Sequence, residues 1–224
     1  MRGPDRGVRP ARERPDERSC VGERLESEGS PADGAVAALP VDLGELERET
    51  LACTKCVLAT SRTNVVFGVG DPEALLMFVG EGPGRDEDLA GEPFVGRSGA
   101  LLDALMAEEI GTDRSRCYIA NVVKCRPPSN RDPAREEIEA CSPYLKAQVE
   151  IIAPRVIVTL GNFATRLLLK TNEGVTRLRG RSYPFGRAQL VPTYHPAAAL
   201  RGGAGVLAEM RADFVRAKRL LLSK

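Results

Sequence analysis

Runs of apolar residues, separated by segments rich in glycine, proline and charge, predict alternating strands and helices along most of the chain. Continuously apolar runs of strand length predict four buried strands, at 74–79, 118–123, 156–160 and 189–192. Longer segments with apolar residues at helical spacing predict helices near 41–52, 98–109, 132–153, 162–169 and 206–222. This alternation is typical of an α/β fold, in which helices cover both faces of a parallel sheet.

Local signals place the helix starts and the loops of this fold. Ser98 is predicted to cap the second helix, and Asp132 and Pro133 to open the third, as N-cap and first helical residue. The segment 81–96 is expected to be a long loop, and 177–187 a basic loop. The loops that follow the four strands should meet at one edge of the sheet, where sites in such folds form.

The first 40 residues differ in composition from the rest of the chain. They are rich in Arg, Glu, Pro, Gly and Ser, so we expect a disordered tail at 1–40 and one folded domain at 41–224. Cys20 lies in this tail with no cysteine nearby. The charged N-terminus lacks the apolar core of a signal peptide, and no apolar run is long enough to cross a bilayer. The expected location is therefore the reducing cytoplasm.

Charge is unevenly distributed along the sequence. Residues 1–50 carry a net charge of −4, residues 51–143 a net charge of −5, and residues 144–224 a net charge of +10. A basic C-terminal third suits contact with nucleic-acid phosphates, and the alternative is an ordinary solvated surface. The residues we expect to contact DNA are Arg177, Arg179 and Arg181.

Four cysteines have the spacing of a metal centre. Cys53 and Cys56 form a Cys-x-x-Cys pair, Cys125 follows a predicted strand, and Cys141 lies on a predicted helix. Four thiolates suit either tetrahedral zinc or an iron–sulfur cluster. A second short Cys-x-x-Cys pair, usual in zinc ribbons, is missing, which favours the cluster. Cys117 opens a strand and is predicted to be a buried core thiol.

The segment Gly80-Glu81-Gly82-Pro83-Gly84 follows the first predicted strand. Its glycines allow the backbone to approach a ligand closely, and the Glu81 carboxylate should lie at the edge of the sheet. The segment matches neither the Walker A motif nor the dinucleotide-binding glycine pattern, which argues against a nucleotide-binding enzyme of those types.

Four long motifs follow one another along the chain: GEGPGRDED (Gly80–Asp88), GEPFVGRSG (Gly91–Gly99), NVVKCRPP (Asn121–Pro128) and HPAA (His195–Ala198). Together with Val65–Gly68 and the four spaced cysteines, and in this order, they resemble the motifs of the family 4 (iron–sulfur) uracil-DNA glycosylases. The resemblance extends over about residues 45–222.

This resemblance implies a three-layer αβα sandwich with a four-stranded parallel sheet. It implies a [4Fe–4S] cluster on the four spaced cysteines, with a structural role, and hydrolysis of the N-glycosidic bond of deoxyuridine in DNA. The partner is then uracil-containing DNA, single- or double-stranded, bound by a monomer without membrane contact. One related branch traps its substrate covalently through a basic loop containing histidine. Residues 124–131 contain no histidine, so turnover is expected.

Within the resemblance, individual side chains suit the steps of base excision. Phe94 offers a stacking face for a flipped uracil, and the Asn121 amide matches the N3–H and O4 edge of that base. Glu81 would position water and offset positive charge on the sugar, while His195, the single histidine, would donate to uracil O2. Three further residues are expected to bind substrate: Gly82, Pro83 and Glu87. Glu87 either assists Glu81 or is a solvated loop acid.

Two alternatives remain open at the level of sequence. One is a non-catalytic nucleic-acid-binding module held together by its metal. The other is a partner domain of a DNA polymerase, with replication or repair proteins as partners. The joint presence of Glu81, Asn121 and His195 favours the enzyme. The glycosylase is expected to be monofunctional, because no lysine occupies a matched catalytic position.

Overall fold

One six-stranded sheet, in the order β1-β3-β2-β4-β6-β5, forms the centre of the protein. The structure is a computed structural model that describes residues 42–223. The tail predicted at 1–40, with Cys20, lies outside these residues. The strands are β1 (Val69–Gly70), β2 (Leu76–Gly80), β3 (Tyr118–Asn121), β4 (Val156–Leu160), β5 (Tyr183–Phe185) and β6 (Ala188–Thr193).

The four predicted strands are confirmed as the parallel middle of this sheet. β3 pairs with β2, β2 with β4 and β4 with β6, all in parallel. Every residue of β2, β3 and β4 is buried, as the continuously apolar runs require. The expected count of four strands is too low, because β1 and β5 add antiparallel edges. These two strands have only two and three residues and are half-buried or exposed, so they leave no hydrophobic signal.

Seven α-helices flank the sheet in the described part of the chain. They are α1 (Leu43–Leu51), α2 (Arg85–Ala90), α3 (Arg97–Leu105), α4 (Arg135–Ile152), α5 (Asn162–Leu169), α6 (Val175–Leu178) and α7 (Pro196–Leu222). A π-helical turn at Met106–Ile110 continues α3. The helix α7 is longer than predicted and breaks at Gly203, whose φ of 73° is left-handed.

Two predicted helix starts are wrong, and so are two predicted loops. Gly96, rather than Ser98, caps α3. Ala134 occupies the N-cap of α4, because the Glu137 carboxylate accepts the Ala134 N–H at 2.7 Å and replaces a polar cap. The expected loop at 81–96 contains α2, and the expected basic loop at 177–187 begins with the end of α6 and continues into β5.

Two hydrophobic cores lie on opposite faces of the sheet, which makes the three-layer sandwich. Alternate residues of β2 enter different cores: Met77 packs with α1, α4 and α5, whereas Phe78 packs with α3 and α7. In the second core the rings of Phe78 and Phe214 stack with centroids 5.6 Å apart. Within residues 42–223 no helix combines the length and apolarity needed to span a bilayer.

Candidate active site and four-cysteine centre

A cleft of about 450 Å³ lies at the carboxyl edge of the parallel strands. Glu81 follows β2, Asn121 ends β3, and His195 follows β6 as the N-cap of α7. The parallel arrangement therefore brings these residues together from distant parts of the sequence. All seven residues predicted to bind or act on substrate line the cleft: Glu81, Gly82, Pro83, Glu87, Phe94, Asn121 and His195.

At the end of β2, neighbouring side chains pack directly against two glycines. A Cβ atom on Gly80 would lie 2.4 Å from Asn121 Oδ1 and 2.6 Å from the Phe94 ring. A Cβ atom on Gly82 would lie 2.6 Å from the Val123 side chain. Gly80 thus lets the Asn121 and Phe94 side chains approach the backbone, and Gly82 leaves room for the Val123 side chain.

The Asn121 side chain carries an unsatisfied hydrogen-bond acceptor. Asn121 is 2% exposed, and its Oδ1 has no hydrogen-bond partner within residues 42–223. Leaving such a buried acceptor unpaired costs about 1–3 kcal/mol. Because Asn121 lines the cleft, a ligand with a suitably placed N–H group would satisfy this atom.

Phe94 lies against His195 in an unusual backbone conformation. The two rings stack with centroids 5.5 Å apart and an interplanar angle of 28°. Phe94 has a φ of 57°, which is rare for an aromatic residue. The Arg114 guanidinium holds this turn by donating to the carbonyl oxygens of Pro93 and Phe94. The strained conformation is thus maintained by a specific contact at the site.

His195 is a neutral hydrogen-bond donor. Its Nδ1 accepts the backbone N–H of Ala197 at 3.2 Å, so the proton of the neutral ring lies on Nε2. Burial, helped by the nearby positive charge of Arg201, lowers the His195 pKa to about 4. The ring consequently carries no charge at neutral pH and offers one N–H group to a ligand.

Burial also changes the chemistry of Glu81. It raises the Glu81 pKa to about 7, with a smaller contribution from the negative charge of Asp132. A carboxylate with a pKa near the working pH is well suited to accept a proton from water.

Glu87 organises the loops rather than acting as a free acid. Its carboxylate accepts backbone N–H groups from Gly84 at 3.1 Å, Val95 at 3.1 Å and Gly96 at 3.4 Å. Glu87 is therefore not a solvated loop acid, and its assistance to Glu81 stays a prediction. Glu87 joins the start of α2 to the segment that carries Phe94.

The three arginines predicted to contact DNA have different environments. Arg179 is 14% exposed and pairs with buried Asp213 at 3.0 Å and with Glu209 at 3.1 Å. Its guanidinium also lies over the Tyr194 ring, 5.5 Å from the centroid. Arg179 is thus engaged with α7, whereas Arg177 and Arg181 are exposed, and contact of the three arginines with DNA stays a prediction.

Several cleft residues were not predicted from the sequence. Arg201 lies six residues after His195 on α7, and this proximity to the histidine was a usable signal. Arg131 reaches the cleft while its guanidinium makes two bonds to the Glu137 carboxylate, at 2.9 and 2.6 Å. The other unpredicted lining residues are Gly84, Ser98, Pro127, Asn130 and Ala197.

A second cavity brings together the four spaced cysteines. Cys53 and Cys56 come from the segment after α1, Cys125 from the loop after β3, and Cys141 from α4. All cysteines in residues 42–223 are free thiols. Within the same residues no group of three His, Cys, Asp or Glu side chains is compact enough to hold a single metal ion.

Positive and N–H groups point at these sulfur atoms. Sγ of Cys53 accepts from the Lys55 N–H at 3.5 Å, and Sγ of Cys141 from the Lys124 N–H at 3.2 Å. Sγ of Cys125 accepts from the Arg62 guanidinium at 3.3 Å. Burial raises the pKa of the Cys141 thiol to about 11, so ionisation requires a compensating positive centre.

The remaining described cysteine, Cys117, belongs to the opposite core. Its sulfur lies 3.6 Å from that of Met106, and burial raises its pKa to about 12. The prediction of a buried core thiol is confirmed.

The fold is that of the Uracil DNA glycosylase superfamily, whose family model matches residues 67–219. The Type-4 uracil-DNA glycosylase of Sulfurisphaera tokodaii is 49% identical over 166 residues, which cover 70% of this chain and 76% of that protein. The Saccharolobus solfataricus enzyme is 46% identical over 184 residues, 79% of this chain and 85% of that protein. The Type-4 uracil-DNA glycosylase of Thermotoga maritima is 43% identical over 174 residues, which cover 77% of this chain and 90% of that protein. The chain belongs to the type-4 uracil-DNA glycosylase family.

Proposed function

We propose that this protein hydrolyses the N-glycosidic bond of deoxyuridine in DNA, releasing uracil and leaving an abasic site. The observation that carries the proposal is the buried, unpaired Asn121 Oδ1 in a cleft that also contains Glu81, Phe94 and His195. Membership of a glycosylase family disfavours the two alternatives, a non-catalytic module and a polymerase partner domain.

The cleft supports recognition of uracil over cytosine. Asn121 Oδ1 accepts from the uracil N3–H, and the amide nitrogen donates to O4. Cytosine presents an acceptor at N3 and a donor at C4, so both contacts would be mismatched. Phe94 provides the stacking face for the flipped base, with the His195 ring packed against it.

Glu81 and His195 support the chemical step from opposite ends of the breaking bond. As the bond between C1′ and N1 breaks, its electron pair leaves with uracil, and the His195 Nε2–H stabilises the negative charge at O2. The Glu81 carboxylate offsets the positive charge of the sugar and accepts a proton from the water that attacks C1′. Gly82 and Pro83, which follow Glu81 in the chain, also line the cleft.

We propose that Cys53, Cys56, Cys125 and Cys141 hold a [4Fe–4S] cluster. The donor set fits such a group, since four thiols line one cavity and three of the sulfur atoms already accept N–H groups. When bound, the cluster supplies a structural cross-link between the segment after α1, the loop after β3 and helix α4. No step of the excision reaction is assigned to it.

We also propose a route for DNA on the basic side of the protein. Exposed Arg177 and Arg181 and the cleft residue Arg201 all lie in the positively charged C-terminal third. The protein would act there as a monomer, and a thiolate-held cluster suits a reducing compartment such as the cytoplasm.

The test is gel-resolved cleavage of an oligonucleotide that contains a single uracil. Incubation with the protein and then alkali should cut the strand at the uracil, because alkali breaks abasic sites. The same strand with cytosine or thymine at that position is the control and should stay intact. An uncut uracil strand, with iron-loaded protein in excess, would refute the proposed activity.

A further inference from the structure

We infer that Lys124 is a positioning residue that links the four-cysteine centre to the base-recognition amide of Asn121. This inference rests on the proposed function, because it concerns how the uracil-binding side chain is held. It assigns a role to a buried cation that the chemical step does not use.

Lys124 touches both sites at hydrogen-bond distance. Its backbone N–H donates to Cys141 Sγ at 3.2 Å. Its side chain turns back along the chain, and Nζ donates to the Asn121 carbonyl oxygen at 3.0 Å and to Gln148 Oε1 at 2.5 Å. One residue therefore connects a sulfur of the proposed cluster site to the backbone of the recognition residue.

The burial of Lys124 demands negative charge nearby. Lys124 is 1% exposed, and within residues 42–223 no carboxylate forms an ion pair with it. Both of its Nζ acceptors are neutral oxygens, and the Phe67 ring lies 5.9 Å from Nζ. An isolated buried ammonium is costly. Lys124 directly precedes Cys125, and its N–H contacts Cys141 Sγ, so a cluster held by these cysteines would bring negative charge next to it.

The partners of Lys124 are themselves fixed. Gln148 Nε2 donates to the Phe67 carbonyl oxygen at 2.9 Å and to the Tyr118 hydroxyl at 3.3 Å. The Lys124 carbonyl oxygen accepts the Val66 N–H at 2.8 Å. With both ends of Lys124 anchored, the ammonium sets the position of the Asn121 backbone.

Asn121 has little freedom to move without losing its recognition geometry. A Cβ on Gly80 would lie only 2.4 Å from Asn121 Oδ1, so the amide already fills the space above that glycine. A shift of the Asn121 backbone would change where Oδ1 meets the uracil N3–H. The charge at the cysteine centre and the fit of uracil are thereby coupled through Lys124.

The experiment compares three iron-loaded variants with the wild type: Lys124→Met, Lys124→Arg and, as a control, Lys146→Met. Lys146 is an exposed residue of α4. Two quantities are measured on each, the midpoint potential of the cluster and the dissociation constant for free uracil. Lys124→Met should make the potential more negative, since a neighbouring positive charge favours reduction, and should weaken uracil binding about tenfold. Lys124→Arg should keep the potential near that of the wild type but still weaken uracil binding.

The results separate this inference from the proposed function. A wild type that does not excise uracil overturns the proposed function, and a wild type that binds no iron overturns the proposed cluster and with it this inference. An active wild type whose Lys124 variants match Lys146→Met in potential and uracil affinity overturns only the role of Lys124. If Lys124→Met fails to assemble the cluster, the Lys124→Arg variant decides the question. Unchanged uracil affinity in Lys124→Arg contradicts the link between the cysteine centre and Asn121. Weakened uracil affinity at an unchanged cluster potential supports that link.

Discussion

At the scale of single residues, the site depends on polar groups whose properties are set by burial. Asn121 keeps an acceptor unpaired, His195 stays neutral because its pKa falls to about 4, and Glu81 has a pKa of about 7. Each property is unfavourable or unusual for a side chain in water, and each matches a step of base excision.

Replacing Asn121 tests the recognition of the base. Asn121→Ala should lower uracil excision about 10- to 100-fold, because hydrogen bonds worth about 1–3 kcal/mol to a buried edge are lost. DNA affinity should change little, since phosphate contacts lie elsewhere. Single-turnover rates and filter-binding affinities would check this, with exposed Asn172→Ala as the control. Wild-type excision by Asn121→Ala would remove this residue from recognition.

At the scale of elements, the cleft exists because three parallel strands end at the same edge. The apolar runs of β2, β3, β4 and β6 could be read from the sequence, and so could the residues that follow them. The short edges β1 and β5 could not, because two or three half-exposed residues have no periodic pattern. The cap of α4 was missed because the Glu137 side chain, three residues into the helix, replaces a polar N-cap.

Contacts between distant elements were likewise invisible in the sequence. In the sequence Arg179 is one of three closely spaced arginines. Its salt bridge to Asp213 becomes apparent only once α7 packs beside it. Arg131 lies in the loop before α4 and lines the cleft while its guanidinium bonds to Glu137. The grouping of Glu81, Asn121 and His195 in one cleft was predictable because long motifs carry these residues, whereas the ion-pair partners lie outside any pattern of spacing.

The end of β2 offers a test of how closely the elements pack. Gly80→Ala would push a methyl group into Asn121 and Phe94, which should cost about 1–3 kcal/mol of stability and lower excision. Gly205→Ala is the matched control, because its added methyl would meet nothing within 4 Å. Thermal unfolding and single-turnover excision measure the two effects. Equal behaviour of both variants would show that the packing at Gly80 is not limiting.

The four-cysteine centre joins elements that are distant in sequence, and its metal can be seen directly. Protein purified without air should be brown, with broad absorption near about 400 nm from a thiolate-bound cluster. Cys141→Ala should lose this colour, whereas Cys117→Ala, in the opposite core, should keep it. Colourless wild-type protein with one equivalent of zinc would contradict the proposed cluster.

At the scale of the whole molecule, the arginines predicted to contact DNA fall into two groups: those exposed to solvent and those paired with acidic side chains. Residues 144–224 carry a net charge of +10, yet their arginines are not equivalent. Arg177 and Arg181 are exposed to solvent, whereas Arg179 neutralises an Asp213 that is 0% exposed. Basic composition therefore overstates the number of side chains available to phosphates.

Variants of these arginines should behave in two distinct ways. The double variant Arg177→Ala with Arg181→Ala should weaken binding to any DNA sequence. The slope of log affinity against log salt concentration should become shallower by up to about 2, because two phosphate contacts are lost. Arg179→Ala should instead destabilise the protein by about 3–5 kcal/mol, since it leaves the buried Asp213 without its ion-pair partner and with the Gly180 N–H as a neutral donor. Binding titrations at several salt concentrations and denaturant unfolding distinguish the two. A wild-type salt slope in the double variant would place the phosphates elsewhere.

Single-turnover excision of uracil-DNA as a function of pH tests the central claim most directly. In the proposed mechanism Glu81 acts as a carboxylate, and its pKa is about 7, so the wild-type rate should fall as pH drops below 7 and level off above it. His195 stays neutral down to about pH 4 and should add no second limb between pH 5 and 9. Glu81→Gln should remove the pH dependence, and both Glu81→Gln and His195→Ala should be about 10²–10³-fold slower with the cluster intact. A variant with the wild-type rate, or a wild-type rate independent of pH between 5 and 8, would contradict the account.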